Sequence, residues 1–218
     1  MQYKLVCFDV DGTLVDNVIF SWELFHNYFE VDIDKREEMK KKYFNGEINY
    51  LEWANHDINM WIKKEATKEN FFKAMKNLKL MKGAMETIKE LKKHKIKLAI
   101  ISGSLDIILK KVLPDYKELF DDVFLSHLIF DKDEKLIDAK VTQYDMLQKA
   151  EALRLIAKRE NIDLKHTVHI GDHHNDVEIA KIAGLSIAFD CKDDTLRKTA
   201  DVVIDKKDIR EILKHIIS

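Results

Sequence analysis

The sequence predicts an α/β protein, a Rossmann-like parallel sheet core interrupted after its first strand by a long helical insertion. Three observations carry that expectation. Short apolar runs of β type alternate with segments of helical period over most of the chain, the pattern of successive βαβ units. The runs are almost continuously apolar, as they must be when helices cover both faces of a parallel sheet. Between about Asp16 and Leu80 there is no strand pattern, only helical segments rich in aromatic residues.

The first strand is expected over Lys4–Asp9. The insertion follows, with Trp22, Phe25, Phe29, Trp53 and Trp61 as the apolar residues that hold its helices together or line a pocket. The sheet then resumes with strands over Lys97–Ser102, Asp122–Ser126, Thr167–Asp172, Leu185–Asp190 and Asp201–Ile204. Between the first and second of these, Leu105, Ile108, Leu109 and Val112 repeat at i, i+3, i+4, i+7, a helix with one buried face, and Ile209, Ile212, Leu213 and Ile216 do the same near the end. Pro114 stands just past one helix end, and Gly184 after "VEIAKIA" is the expected cap of another. The stretch "LIFDKDEKLIDAKVT" has two alternating runs about a polar turn and predicts a β-hairpin; its Asp131-x-Asp133 lacks the glycine and the terminal glutamate of a calcium loop. The domain expectation is a core of residues 1–15 and 81–218 and an inserted unit of residues 16–80.

Composition limits what such a fold can do. The chain of 218 residues has 35% charged residues but a formal net charge of only -2, so no overall field draws it to nucleic acid or to an anionic membrane. No basic segment precedes a signal-type apolar run, and no stretch approaches the roughly 20 apolar residues of a membrane span. The expectation is a cytoplasmic protein, monomer or homodimer, acting on a small molecule. Cys7 and Cys191 are too few and too differently placed for a disulfide frame or a zinc site and read as free thiols.

Open parallel sheets bind ligands at the carboxyl ends of their strands. The first strand ends in Asp9-Val10-Asp11-Gly12-Thr13, the second in Ser102-Gly103-Ser104 and the fourth in Gly171-Asp172-His173-His174-Asn175-Asp176, so four aspartates and a serine converge on one edge. Crowded carboxylates repel, and burial raises the cost of each anion. A hard cation relieves both, and Mg²⁺ suits a few carboxylates, a carbonyl and retained waters. Lys149 adds a second positive charge if the helix in "QKAEALRLIAKREN" starts at this edge, and a cation plus a lysine among aspartates points to chemistry on phosphate. His169, His173 and His174 read as packing and loop residues, because one lies in a buried strand and the other two are adjacent.

This ordered set, Asp9-x-Asp11-Gly12-Thr13, Ser102, Lys149 and Gly171-Asp172-x-x-x-Asp176, resembles the four motifs of the haloacid dehalogenase (HAD) superfamily, and the last third of the chain is similar to its phosphoserine phosphatase-like branch. The resemblance implies a helical cap over the site and a phosphoric monoester hydrolase. In it, Asp9 is the nucleophile that becomes an aspartyl-phosphate and Asp11 the general acid and base. It implies Mg²⁺ held by Asp9, the Asp11 carbonyl, Asp172 and Asp176, and a phosphoryl group held by Ser102, Gly103, Lys149 and Asn175. The spacing of Lys149 from Asp172 favours it over Lys140 and Lys158. Two positions depart from the branch: Gly12 replaces its serine, and Val18 its substrate-binding glutamate. The insertion has a single arginine, Arg36, with Glu23 and several lysines as further polar candidates. The expected activity is Mg²⁺-dependent hydrolysis of a small phosphorylated metabolite, phosphoserine being one candidate. The alternatives are a phosphotransferase or mutase using the same intermediate, or a non-catalytic phosphometabolite-binding protein.

Overall fold

A computed structural model describes residues 2–217. Strand β1 (Leu5–Phe8) leads through a turn into β2 (Val15–Asp16), and four helices follow: α1 (Ser21–Tyr28), α2 (Ile33–Phe44), α3 (Tyr50–Lys63) and α4 (Lys68–Ala74). Strand β3 (Lys79–Leu80) pairs antiparallel with β2, so a short ribbon closes the base of the helical insertion. The chain continues through α5 (Ala84–Lys93), β4 (Lys97–Leu105), α6 (Asp106–Val112), α7 (Tyr116–Leu119), β5 (Asp122–Phe130) and β6 (Leu136–Lys140). It ends with α8 (Lys149–Arg159), β7 (Thr167–Gly171), α9 (Val177–Ala180), β8 (Leu185–Phe189), α10 (Asp194–Thr199), β9 (Val202–Ile204) and α11 (Leu213–Ile216).

The main sheet has the order β6-β5-β4-β1-β7-β8-β9, with every pairing parallel except that of β5 with β6. Alternation along the central strands explains the continuous apolar runs. Val6, Phe8, Leu98 and Ile100 face one layer, with Ile88 and Leu91 of α5 and Ile108 of α6. Leu5, Cys7, Ala99 and Ile101 face the other, with Leu153 and Ile156 of α8. Cys7 is a buried free thiol, and Cys191 is half-buried and also free.

The insertion is held by its aromatics. Phe25, Trp61 and Phe71 are fully buried, with the Phe25 and Phe71 rings 4.8 Å apart and edge-on to each other. Asn49 and Glu52 form a reciprocal capping box at the start of α3, and Thr67 and Asn70 do so at the start of α4. Inside, Trp61 Nε1 donates to His26 Nδ1 at 3.1 Å, which leaves the proton on Nε2 to be donated to Asp57 Oδ2 at 3.0 Å. Burial pulls the His26 pKa below its ordinary value, although Asp57 opposes the shift.

Several boundaries differ from the sequence expectation. The β2–β3 ribbon is absent from it, because two-residue strands carry no periodic signal. Strand β4 runs on through Ser102 to Leu105, with a register shift against β5 between Ile101 and Leu105. Strand β5 extends to Phe130 and forms the expected hairpin with β6, in whose turn Asp131 Oδ1 accepts the amides of Asp133 and Lys135. Pro114 does lie just past α6, but Gly184 is not a helix cap. Helix α9 already ends at Ala180, and Gly184 is small because a Cβ there would strike the Lys165 backbone. Among the described residues no helix is long and apolar enough to cross a membrane.

Because that obstacle is backbone and not a movable side chain, Gly184→Ala is expected to lower stability by about 1–3 kcal/mol. Urea unfolding at neutral pH checks it, and an unchanged midpoint would show that the loop carrying Lys165 yields freely.

Candidate active site

From β1 the chain moves outward through β4, β5 and β6, then returns to the other side of β1 through β7, β8 and β9. The carboxyl ends of β4, β1 and β7 therefore border the crevice where strand order reverses, the ligand position of open α/β sheets. Asp9 directly follows β1, Ser102 and Gly103 lie near the end of β4, Asp172 directly follows β7, and Lys149 is the first residue of α8.

Lys149 is 0% exposed. Its Nζ donates to Asp9 Oδ1 and to Asp176 Oδ1, each at 2.8 Å. Lys140 and Lys158 are exposed, so burial singles out Lys149. Asp176 is held on every side: Oδ1 also accepts from His169 Nε2 at 3.0 Å, and Oδ2 accepts the amides of Asp172 and His173 at 3.1 and 3.3 Å. Gly171 makes this possible, since a Cβ there would collide with the Asp176 carboxylate. His169 is thus packed in its strand, as its sequence position implies, and also orients Asp176.

One buried cation faces several buried acids, and the pKa shifts follow. Burial pushes the Asp9 carboxyl up to about 7, with Lys149 pulling against it. Burial, then the charges of Asp9 and Asp176, pushes Asp172 up to about 9. Burial alone would raise Asp176 too, but Lys149 and His169 outweigh it and hold that carboxylate well below its usual range. Lys149 is held above its ordinary value because Asp176 and Asp9 overcome its desolvation. Asp9, Asp172 and Asp176 each bring a carboxylate oxygen within 4.8 Å of the others, and Asp172 Oδ2 is buried without a partner. An orphaned anionic oxygen in an acid-rich pocket suits a hard divalent cation.

Asp11 is held apart from that cluster. Its Oδ2 accepts the amide of Ser21, the first residue of α1, at 2.6 Å, and its Oδ1 accepts the Ser104 hydroxyl at 2.8 Å. Burial raises its pKa, and the Ser21 and Ser104 hydrogen bonds offset part of the rise. Gly12 between the two groups has φ 71°, and a Cβ there would also meet the Asp172 carboxyl, so the turn and the close approach both require glycine. Ser102 Oγ accepts the Ser104 amide at 3.1 Å, which leaves its own proton free to donate. Asn175 Nδ2 is tied to Asp145 Oδ1 at 3.0 Å, and its Oδ1 is buried without a partner. The pocket is lined by Asp9, Asp11, Ser102, Gly103, Asp172 and Asn175, among others, and Lys149 lies beneath them.

Ser21 and Asp145 carry no signal of a site role in the sequence, whereas Ser104 stands out there as a strand-end hydroxyl and Trp22 as an insertion aromatic able to line a pocket. Trp22 Nε1 donates to the Gly103 carbonyl at 2.9 Å, and Asp145 accepts from Tyr50 Oη at 2.9 Å as well as from Asn175. Val18, where the resemblance places a glutamate, packs against the apolar core.

Known proteins are similar to this chain along its length. Residues 3–184 match the family model described as haloacid dehalogenase-like hydrolase. The phosphoserine phosphatase of Methanocaldococcus jannaschii is 37% identical over 216 residues, 98% of this chain and 97% of that one. Among solved structures, a phospho-aspartyl intermediate analogue of phosphoserine phosphatase superposes with TM-score 0.76 at 35% identity, covering 99% of this chain and 100% of that one. A substrate-bound phosphoserine phosphatase complex does so with the same TM-score and identity, covering 99% of each chain. With the family model matching most of its length and a full-length relative well above 30% identity, this chain belongs to the haloacid dehalogenase-like hydrolase family.

Proposed function

We propose that this protein is a phosphatase that hydrolyses a small phosphomonoester through an aspartyl-phosphate on Asp9, with phosphoserine as the leading substrate because the similar full-length proteins are phosphoserine phosphatases. The observation that carries the reading is the buried Lys149 bonded at 2.8 Å to both Asp9 and Asp176 at the switch point of the sheet. Burying a lysine costs desolvation energy that apolar side chains of similar volume would avoid, which favours a role beyond packing.

The Asp9 carboxylate attacks phosphorus, and the bond to the ester oxygen breaks as the new one forms. The Ser102 hydroxyl and the Gly103 amide hold a phosphoryl oxygen, with Asn175 at the edge of the pocket. Lys149 fixes the Asp9 carboxylate from beneath and balances charge on it as it reacts. Asp11, whose protonated form burial favours while the Ser21 and Ser104 hydrogen bonds oppose it, gives a proton to the leaving oxygen. A water then loses a proton to Asp11 and attacks phosphorus, which releases phosphate and restores Asp9. The residues fit Mg²⁺, on the grounds of the orphaned Asp172 Oδ2 and the excess of acids over one lysine: Asp9, Asp172 and the Asp11 main-chain carbonyl would hold it, with Asp176 fixing their positions. Bound there, the cation supplies neutralisation of phosphate charge. In this reading residues 16–80 are the cap, whose first helix touches Asp11 and excludes water from the site.

Two outcomes test the reading. Asp9→Asn should lower phosphate release from p-nitrophenyl phosphate by on the order of 10⁴-fold or more while the circular dichroism spectrum stays native. Substantial residual turnover would remove Asp9 as the nucleophile.

The second concerns pH. In the cation-free protein Asp172 titrates near 9, far above the unfolded carboxyl. Below about pH 4 both states carry the proton and there is no penalty; as pH rises toward 9 the unfolded chain gives it up first, so stability falls. A cation that displaces this proton binds better across the same window. Mg²⁺ should therefore raise Tm more at pH 8 than at pH 5.5, and an equal or smaller gain at pH 8 would count against a cation at Asp172.

A further inference from the structure

Asp145 lies in the segment between β6 and α8, outside the strand-end motifs, and is 9% exposed. It borders both the pocket at Asp9 and a wider cavity of about 260 Å³ among α1, α2 and α3. Its carboxylate joins three elements that are far apart in the chain. Oδ2 accepts the Tyr50 hydroxyl of α3 at 2.9 Å, and Oδ1 accepts Asn175 Nδ2 at 3.0 Å. The same carboxylate packs against Gly103, where a Cβ would collide with it. A buried anion between two neutral donors makes charge-assisted hydrogen bonds, which are stronger than neutral ones.

These contacts converge on the groups that the phosphatase reading assigns to a phosphoryl oxygen. Asn175 Oδ1 is buried without a partner, so among the described residues Asp145 is the one hydrogen-bond partner of that amide. A carboxylate only accepts, so it also decides that Nδ2 is the end turned toward it. Gly103 has its carbonyl tied by Trp22 at 2.9 Å and its Cα covered by Asp145. The Asp145 carbonyl accepts the Gln148 amide at 2.9 Å, which closes the turn of Met146–Gln148 that leads into Lys149. Met146 has φ 46°, a left-handed conformation that a residue with a side chain keeps only where its neighbours enforce it. Asp145, anchored from α3 and from Asn175, is such a neighbour. An anion in contact with a phosphoryl group would repel it, so Asp145 acts through the groups it holds.

We propose that Asp145 is a positioning residue for the reaction at Asp9: it sets the Asn175 amide and the Gly103 turn, and with them the grip on the phosphoryl group. Tyr50 holds the carboxylate from α3, and Asp145 itself touches neither phosphorus nor the released alcohol. The assignment rests on the phosphatase reading above and concerns how the phosphoryl end is held, whichever ester is cleaved.

A double-mutant cycle on p-nitrophenyl phosphate tests it, since the aryl group carries no ammonium or hydroxyl for an acid to bind. Asp145→Ala should lower kcat by about 10–100-fold, the usual effect of losing an orienting partner. Asn175→Ala alone should cost about tenfold, but in the Asp145→Ala background no more than about threefold, because coupled residues act as one unit. Asp145→Asn keeps an acceptor for Asn175 and offers an N–H that the Tyr50 oxygen accepts, so it should return kcat to within about fivefold of wild type. Full turnover by Asp145→Ala, losses that multiply across the cycle, or an asparagine variant as slow as the alanine one each overturn the proposal. A loss confined to O-phospho-L-serine overturns it too, because Asp145 would then contact the substrate. If the alanine variant does not fold, Asp145→Ser carries the same cycle. Calorimetric binding of inorganic phosphate with Mg²⁺ separates the two readings. Binding that Asp145→Ala weakens at least about fivefold, in a wild-type protein that turns over no ester, overturns the phosphatase reading alone. Turnover by the wild type with any of the contrary outcomes overturns the Asp145 assignment alone, and unweakened binding without turnover overturns both.

Discussion

The site depends on one constraint: among the described residues a single lysine, fully buried, is the only cation in direct contact with the cluster of buried aspartates at Asp9, Asp172 and Asp176. Lys149 donates to Asp9 and Asp176 at 2.8 Å. Burying such a pair costs several kcal/mol per ion unless the geometry is very good and the remaining lone pairs are satisfied. Asp176 meets that condition with four donors, including two main-chain amides and His169. Asp9 and Asp172 do not, and their raised pKa values express the deficit. The pocket is therefore built short of positive charge. A phosphoryl group alone would worsen that, which is why a divalent cation belongs to the same reading as the substrate.

The helical insertion is coupled to this centre by short contacts. The first amide of α1, from Ser21, binds Asp11, and the next residue, Trp22, binds the Gly103 carbonyl. The same helix carries Glu23 and His26, and His26 reaches Arg36 through Asp57. One helix thus positions Asp11, the loop at Gly103 and part of the wall of the wider cavity. Movement of α1 would displace all three together.

Gly12 illustrates how tightly the elements are fitted. Its left-handed backbone turns the chain after Asp11, and its missing side chain gives room to Asp172 from a strand far away in sequence. A serine there, as in the branch it resembles, would have to accommodate both demands. Gly103 and Gly171 show the same close approach, to Asp145 and Asp176.

The sequence by itself determined the sheet, the helical insertion and the chemistry of the edge, because apolar period and strand-end composition are local properties. Asp9, Asp11, Ser102, Lys149 and Asp172 were each legible as a polar residue at or near a predicted strand or helix end. What only the tertiary structure decided was partnership. Nothing local says that Asp176 is saturated while Asp172 is not, that His169 of a buried strand reaches Asp176, or that Ser21 from a helix start and Asp145 from an irregular segment enter the site. Nor does Asp145 differ in sequence from any loop aspartate. Its contacts exist because the fold brings Tyr50, Asn175 and Gly103 to one carboxylate, and such a meeting is a property of three-dimensional neighbours alone.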